Sequence, residues 1–184
     1  MATDVQQLMA RISGHHFIGG DYRRGSGSRH DIFDPATDQI VGAFADATPT
    51  EVDDAVAAAN AAQKVWWSMS ALDRATALHE VASRLLERSA ITGECLTREM
   101  GKPYRESNWE GGASASAFRY YAEISRHDQG RIAGPAIAGQ MHMTLKEPLG
   151  TIVSIVPFNF PVLLFGWQAA GALAAGNEIG RAHV

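Results

Sequence analysis

Residues 149–177 read LGTIVSIVPFNFPVLLFGWQAAGALAAGN, a run without a single Asp, Glu, Lys or Arg in a chain that is 20% charged. Such a run must be buried in protein, buried in lipid or wrapped around a ligand. An uncharged apolar run longer than about 20 residues is the usual mark of a membrane-spanning helix. Here Pro157 and Pro161 bracket Asn159, and proline interrupts the helical ladder and pushes its predecessor toward extended geometry. The run therefore splits. Residues 151–156 are β-branched and apolar, the pattern of a strand covered on both faces. Residues 162–175 are rich in Ala and Leu and stop at Gly176-Asn177, a helix terminator. Strand, Pro-Phe-Asn-Phe-Pro corner and helix together open a parallel α/β unit, and membrane insertion is not expected.

The rest of the chain suits that reading. With 184 residues and 46% hydrophobic content it can form one sizeable core and part of another. A net charge of −4, unclustered, implies neither nucleic acid nor an anionic membrane as partner. Residues 1–14 lack the basic start and apolar core of a secretory signal. A single cysteine suits a cytoplasmic protein and permits no internal disulfide.

Before the uncharged run, residues 16–22 predict a strand, a Gly19-Gly20 turn and a second strand. Residues 31–42 predict another hairpin, turning at Asp34-Pro35. Helical grammar follows. Thr48-Pro49-Thr50-Glu51 is a capping box, and Val52, Ala55, Val56, Ala59, Ala62 and Trp66 recur on one face. Ser70 with Asp73 marks a second helix, Ile91 to Met100 a third ending at Gly101, and Tyr104 to Ile124 a fourth. Antiparallel helices covering a sheet are the expected arrangement. Residues 130–135 read as a breaker-rich linker, and residues 141–148 alternate like an exposed strand.

Several chemical motifs fail. Gly101-Lys102 is followed by Pro103, and Leu96 stands where a phosphate-binding loop needs glycine. The glycines at 19, 20, 25 and 27 do not form a dinucleotide fingerprint. Cys95 falls on an apolar helix face beside Leu96, which marks a small core residue rather than a nucleophile. The seven histidines are scattered, with no metal-ligand spacing.

The segment Lys146-Glu147-Pro148-Leu149-Gly150, followed by the strand, the corner and a helix ending Ala-Leu-Ala-Ala-Gly-Asn, resembles the NAD(P)-dependent aldehyde dehydrogenase superfamily. Phe158 replaces the commoner Trp of the corner. Phe33-Asp34-Pro35-Ala36-Thr37, the helix from Thr48 to Ala62, and Glu99-Met100-Gly101-Lys102-Pro103 look like family landmarks in family order, so the resemblance covers roughly residues 15–177. Gln168 and Gly171 depart from the Lys and Pro common there.

The resemblance implies an α/β fold: the N-terminal part of an aldehyde dehydrogenase, with a small antiparallel β layer, helices and the start of a Rossmann-like parallel sheet. It divides the chain into residues 1–130 of the cofactor-binding domain, an oligomerisation-arm region at 131–148, and the strand-corner-helix unit at 149–177. It implies NAD- or NADP-dependent oxidation of a small-molecule aldehyde to a carboxylic acid in a homo-oligomer, dimer or tetramer, with a coenzyme A-acylating relative or a non-catalytic paralogue as alternatives. Asn159 takes the role of the amide that stabilises the oxyanion, a task suited to a neutral donor. Ile155, Val156, Pro157 and Phe158 take the nicotinamide-ribose side of the cofactor cleft, and no metal is implied. In the family the nucleophilic Cys and general-base Glu come later than this stretch, so the chain alone is expected to be inactive. Residues 178–184 break from the family pattern, and their back-translation resembles a short-read sequencing adapter, which marks them as a non-native tail.

Overall fold

The computed structural model describes residues 2–127 and 130–181. Helix α1 (Ala2–Ile12) leads into a hairpin of β1 (His15–Ile18) and β2 (Asp21–Arg24), then a second hairpin of β3 (Arg29–Phe33) and β4 (Ile40–Ala45). Both are antiparallel, as expected, and each is a separate two-stranded sheet. The Gly14 amide donates to the Ala43 carbonyl at 2.7 Å, tying the start of the first hairpin to the second.

Four helices follow: α2 (Pro49–Ser68), α3 (Ala71–Glu87), α4 (Ser89–Met100) and α5 (Tyr104–Ile124). Their starts and stops obey the local sequence. Thr48 and Glu51 form the reciprocal capping box at α2, Ser70 accepts from the Asp73 amide at α3, and α4 ends on Gly101 at φ 75°. Strands β5 (Gly130–Ala133) and β6 (His142–Leu145) pair antiparallel, then β7 (Thr151–Ser154), α6 (Pro161–Ala174) and β8 (Glu178–Arg181) complete the chain.

The core lies between α3, α5 and α6. Ala75, Leu78 and Ala82 meet Ala115, Phe118 and Ala122, and Ala169, Ala170 and Ala174 close the third side. Alanine at these positions lets the helix backbones approach closely, and Phe118 fills the space that remains. On α2 the Trp66 indole N–H donates to the Leu173 carbonyl at 2.7 Å, and Gln63 donates to the Gly176 carbonyl at 3.1 Å. These bonds fix α2 against the end of α6.

Asn177 joins that end to the sheet. Its Oδ1 accepts from the Gly150 amide at 3.1 Å, and its Nδ2 donates to the Ala172 carbonyl at 3.1 Å. Gly176 precedes it at φ 88°, with the Trp67 ring in the space a Cβ would take. Glycine is required there on both counts.

Several expectations are corrected. The strand expected over 151–156 and covered on both faces is shorter, and one face is open: Val153 and Ile155 are about 60% exposed, at 61% and 60%. Ile152 and Ser154 share the opposite face by the pleat, and Ser154 is buried against α6. The supposed linker at 130–135 contains β5, because its backbone pairs with β6 despite the glycines. The helices pack chiefly on one another rather than on a sheet, and of the apolar face expected on α2 only Ala59 is buried. Residues 178–181, expected as part of a foreign tail, form β8, parallel to β7 in the register Thr151↔Glu178 to Ser154↔Arg181, which leaves that expectation as it stood. A backbone ladder asks little of side-chain identity, so this pairing is independent of the tail's origin. Residues 182–184 lie outside the described residues.

Candidate functional site

The corner between β7 and α6 occupies residues 155–160. A parallel strand ends at Ser154, and α6 begins at Pro161, where proline's missing N–H costs nothing and its fixed φ suits the first helical position. In open α/β sheets, ligands bind outside the carboxyl ends of the strands. Asn159 is exposed in this corner, as are Ile155, Pro157 and Phe158, the last at 82%. Val156 is half-buried. The structure thus gathers all five expected residues in one short turn, with apolar side chains open to the space beyond the strand.

Two residues that the sequence did not single out hold this corner from below. Lys102, just past α4, and Glu110, on α5, form a buried ion pair with Nζ 2.5 Å from Oε1. Lys102 Nζ also donates to the Asn159 backbone carbonyl at 2.8 Å and lies 3.4 Å from the centroid of the Phe160 ring. Glu110 Oε2 accepts from the amides of Val162 and Leu163 at 3.0 and 3.1 Å. Those amides belong to the first turn of α6, whose own N-cap residue, Phe160, makes no side-chain cap. Glu110 supplies from α5 what a Ser or Asp would normally supply locally, and its charge faces the positive end of the helix dipole.

A signal for these residues was present in the sequence. Glu110 follows Lys102 by little more than two helical turns and sits among Ser107, Gly111 and Ser114, all buried. A carboxylate on a helix face of small residues needs a buried cation or helix terminus as partner.

The upper side of the corner is held by Gln168. Ser154 Oγ donates to its Oε1 at 2.6 Å, and its Nε2 donates to the Ile155 carbonyl at 3.3 Å. The departure from Lys at this position therefore has a structural use, joining the end of β7 to α6 without a charge. Gly171, the other departure, lies against the Tyr121 ring, 3.3 Å from where a Cβ would stand.

Residues 22–179 match the profile of the Aldehyde dehydrogenase family. The chain belongs to that family. Among solved structures, betaine aldehyde dehydrogenase from Staphylococcus aureus in complex with NAD+ superposes with a TM-score of 0.88 at 24% identity, covering 96% of this chain and 36% of that one. 3,6-Anhydro-L-galactose dehydrogenase in complex with NADP gives 0.85 at 28% identity over 91% of this chain. An Escherichia coli NADP dependent enzyme gives 0.87 at 28% identity, again over 91% of this chain and 35% of that one. The chain therefore spans about 36% of the length of the aldehyde dehydrogenase it superposes on. No helix among the described residues is long and apolar enough to cross a membrane, and no group of three or more potential metal ligands occurs among them.

Aldehyde dehydrogenase family membership implies a nicotinamide dinucleotide, and the corner fits one end of it. Ile155 and Phe158 offer exposed apolar surface at the carboxyl end of a parallel strand, which suits a ring and ribose. No Lys or Arg occurs from residue 147 to residue 180, so this stretch supplies no cation for the phosphates. The corner thus offers apolar surface and no counter-charge for a phosphate.

Proposed function

We propose that the protein to which this chain belongs oxidises a small-molecule aldehyde to a carboxylic acid, with NAD or NADP as acceptor. On this reading a cysteine thiolate from another part of the protein forms a C–S bond to the aldehyde carbon, and the carbonyl π pair moves onto oxygen. The Asn159 side-chain amide donates a hydrogen bond to that oxyanion, stabilising charge as it develops without itself titrating. Ile155, Val156, Pro157 and Phe158 line the nicotinamide-ribose side and exclude water from it. When bound, the nicotinamide would supply the acceptor for the hydride that leaves the former aldehyde carbon as the oxyanion collapses to a C=O, giving the thioester. Water activated by a glutamate then releases the acid from the thioester.

One observation carries the reading: Asn159 is exposed in the corner that follows a parallel strand while its own carbonyl is tied down by Lys102. The substrate side has support as well. An open groove lined by Trp109, Ala113, Ser116, Leu163 and Trp167 runs between α5 and α6 and begins one helical turn past Asn159. Ser89 and Asn108 line it too, so its walls are mixed, with the rings of Trp109 and Trp167 as the surface suited to a hydrocarbon portion.

The same reading makes the protein a cytoplasmic homo-oligomer, with β5 and β6 as the arm that pairs subunits. All residues of this hairpin are exposed, and Ile132 pairs with Met143 across one face, at 79% and 58% exposure. An unpaired apolar strand edge favours association. Cys95, the single thiol, is half-buried on α4, and on this reading the nucleophile is a different cysteine, so the chain by itself is inactive.

The test is turnover by the full-length protein of propanal, benzaldehyde and betaine aldehyde with NAD+ and NADP+. Reduced nucleotide and free acid are expected in equal amounts, and Asn159→Ala should lower kcat by about 10²–10³-fold. Absence of aldehyde-dependent nucleotide reduction overturns the reading in favour of a non-catalytic paralogue. Product appearing only as a thioester when coenzyme A is added redirects it to the acylating alternative.

A further inference from the structure

We propose that Lys102 and Glu110 are positioning residues for Asn159, acting as a single clamp across the corner; the inference rests on the oxyanion role of Asn159 stated above. The clamp grips both sides of Pro161. Lys102 holds residue 159 by its carbonyl and residue 160 by its ring, and Glu110 holds the amides of residues 162 and 163. The ion pair joins the two grips, so the corner and the first turn of α6 are referred to one fixed point on α5.

Stability alone is a poor account of this arrangement. Glu110 is fully buried and Lys102 is 8% exposed, and the desolvation of such a pair offsets most of its Coulomb attraction. What the pair supplies is direction. The Asn159 carbonyl is one of the substituents that orient its Cα, so fixing the carbonyl fixes where the Cβ and the amide beyond it point. An oxyanion donor is effective only within hydrogen-bonding reach of where the charge forms, and a misplacement of about 1 Å costs on the order of 10²-fold in rate. A carbonyl tether at 2.8 Å to a cation that is itself held at 2.5 Å leaves little room for such drift.

A double-mutant cycle in the full-length protein separates positioning from simple support. Lys102→Met and Glu110→Gln are each made with and without Asn159→Ala, and kcat and nucleotide KM are measured with whichever aldehyde of the panel turns over fastest. Circular dichroism confirms that each variant is folded at the assay temperature. The expected result is a kcat lowered by about 10-fold or more in Lys102→Met, little change in nucleotide KM, and a smaller penalty for Asn159→Ala in that background than in the parent. An equal penalty in both backgrounds overturns the clamp while leaving the oxyanion role intact. Loss of no activity in Asn159→Ala alone removes both. Should Lys102→Met fail to fold, the nearly isosteric Glu110→Gln carries the same cycle. Its amide hydrogen exchange over residues 158–164 adds a readout free of turnover: faster exchange confined to that segment is expected, and unchanged exchange there overturns the clamp.

Discussion

Gly166 on α6 packs directly against Ser114 on α5, so closely that an added Cβ would stand 2.8 Å from the Ser114 Cβ and 3.1 Å from its Cα. The two helices touch there almost backbone to backbone, one turn beyond the segment that Glu110 caps. Gly166→Ala should therefore destabilise the chain by about 1–3 kcal/mol, the usual cost of overpacking a tight core. Urea denaturation measures this. Because the neighbouring side chain supplies much of the clash, Ser114→Gly in the Gly166→Ala background should recover part of the loss, and an additive further loss would contradict the packing account.

The capping box at α2 predicts a dependence on acid. Glu51 has its carboxyl lowered from 4.5 to about 2, first by the Thr48 backbone amide, then by the Thr48 hydroxyl, with Ser26 adding to both. A carboxyl whose folded pKa lies below its unfolded value contributes stability above the unfolded pKa, and that contribution is lost as pH falls from 4.5 toward 2. The stability difference between the parent and Glu51→Gln should be largest near neutrality and shrink toward about pH 2. Chemical denaturation across that range checks it, and a difference independent of pH would show that the charge contributes nothing.

Cys95 should be a slow thiol. Burial raises its pKa above 9.0, and the charges of Glu99 and Glu94 raise it further against the opposing pull of Arg98. Since the thiolate is the nucleophile, alkylation by iodoacetamide at neutral pH should lag well behind that of glutathione and accelerate as the solution becomes more alkaline. Alkylation as fast as glutathione would place the side chain in a more open setting than α4 provides.

Ile155 tests the cofactor side of the corner. It is 60% exposed just past the end of β7, and a carboxylate there would put a hydrated charge into the apolar surface proposed for the nicotinamide-ribose side. In the full-length protein Ile155→Asp should raise the nucleotide KM by on the order of tenfold, equal to about 1.4 kcal/mol, while leaving the aldehyde KM nearly unchanged. Equal effects on both would point to a general disturbance of the corner instead.

The corner itself was legible in the sequence because Pro157, Asn159 and Pro161 act locally: each restricts its own dihedrals or those of its neighbour, whatever surrounds it. The helix starts at Thr48 and Ser70 were legible for the same reason, as caps bond within three residues. The open face of β7 was not. An apolar strand reads alike whether both faces are covered or one, and only the packing partners decide. Strand β5 escaped because its pairing with β6 links residues nine to fifteen positions apart, a relationship invisible to local composition.

By itself the sequence determined an α/β chain, the place of its strand-corner-helix unit, and Asn159 as the polar group set into that unit, since these depend on residues adjacent along the chain. Only the tertiary structure decided what holds Asn159. Lys102 and Glu110 lie 57 and 49 positions before it, and although the small residues around Glu110 call for some buried partner, nothing local says that the partner is this corner. Buried charge is stable only where its counter-charge and hydrogen bonds converge in space, and that convergence is made by α5 crossing beneath the start of α6.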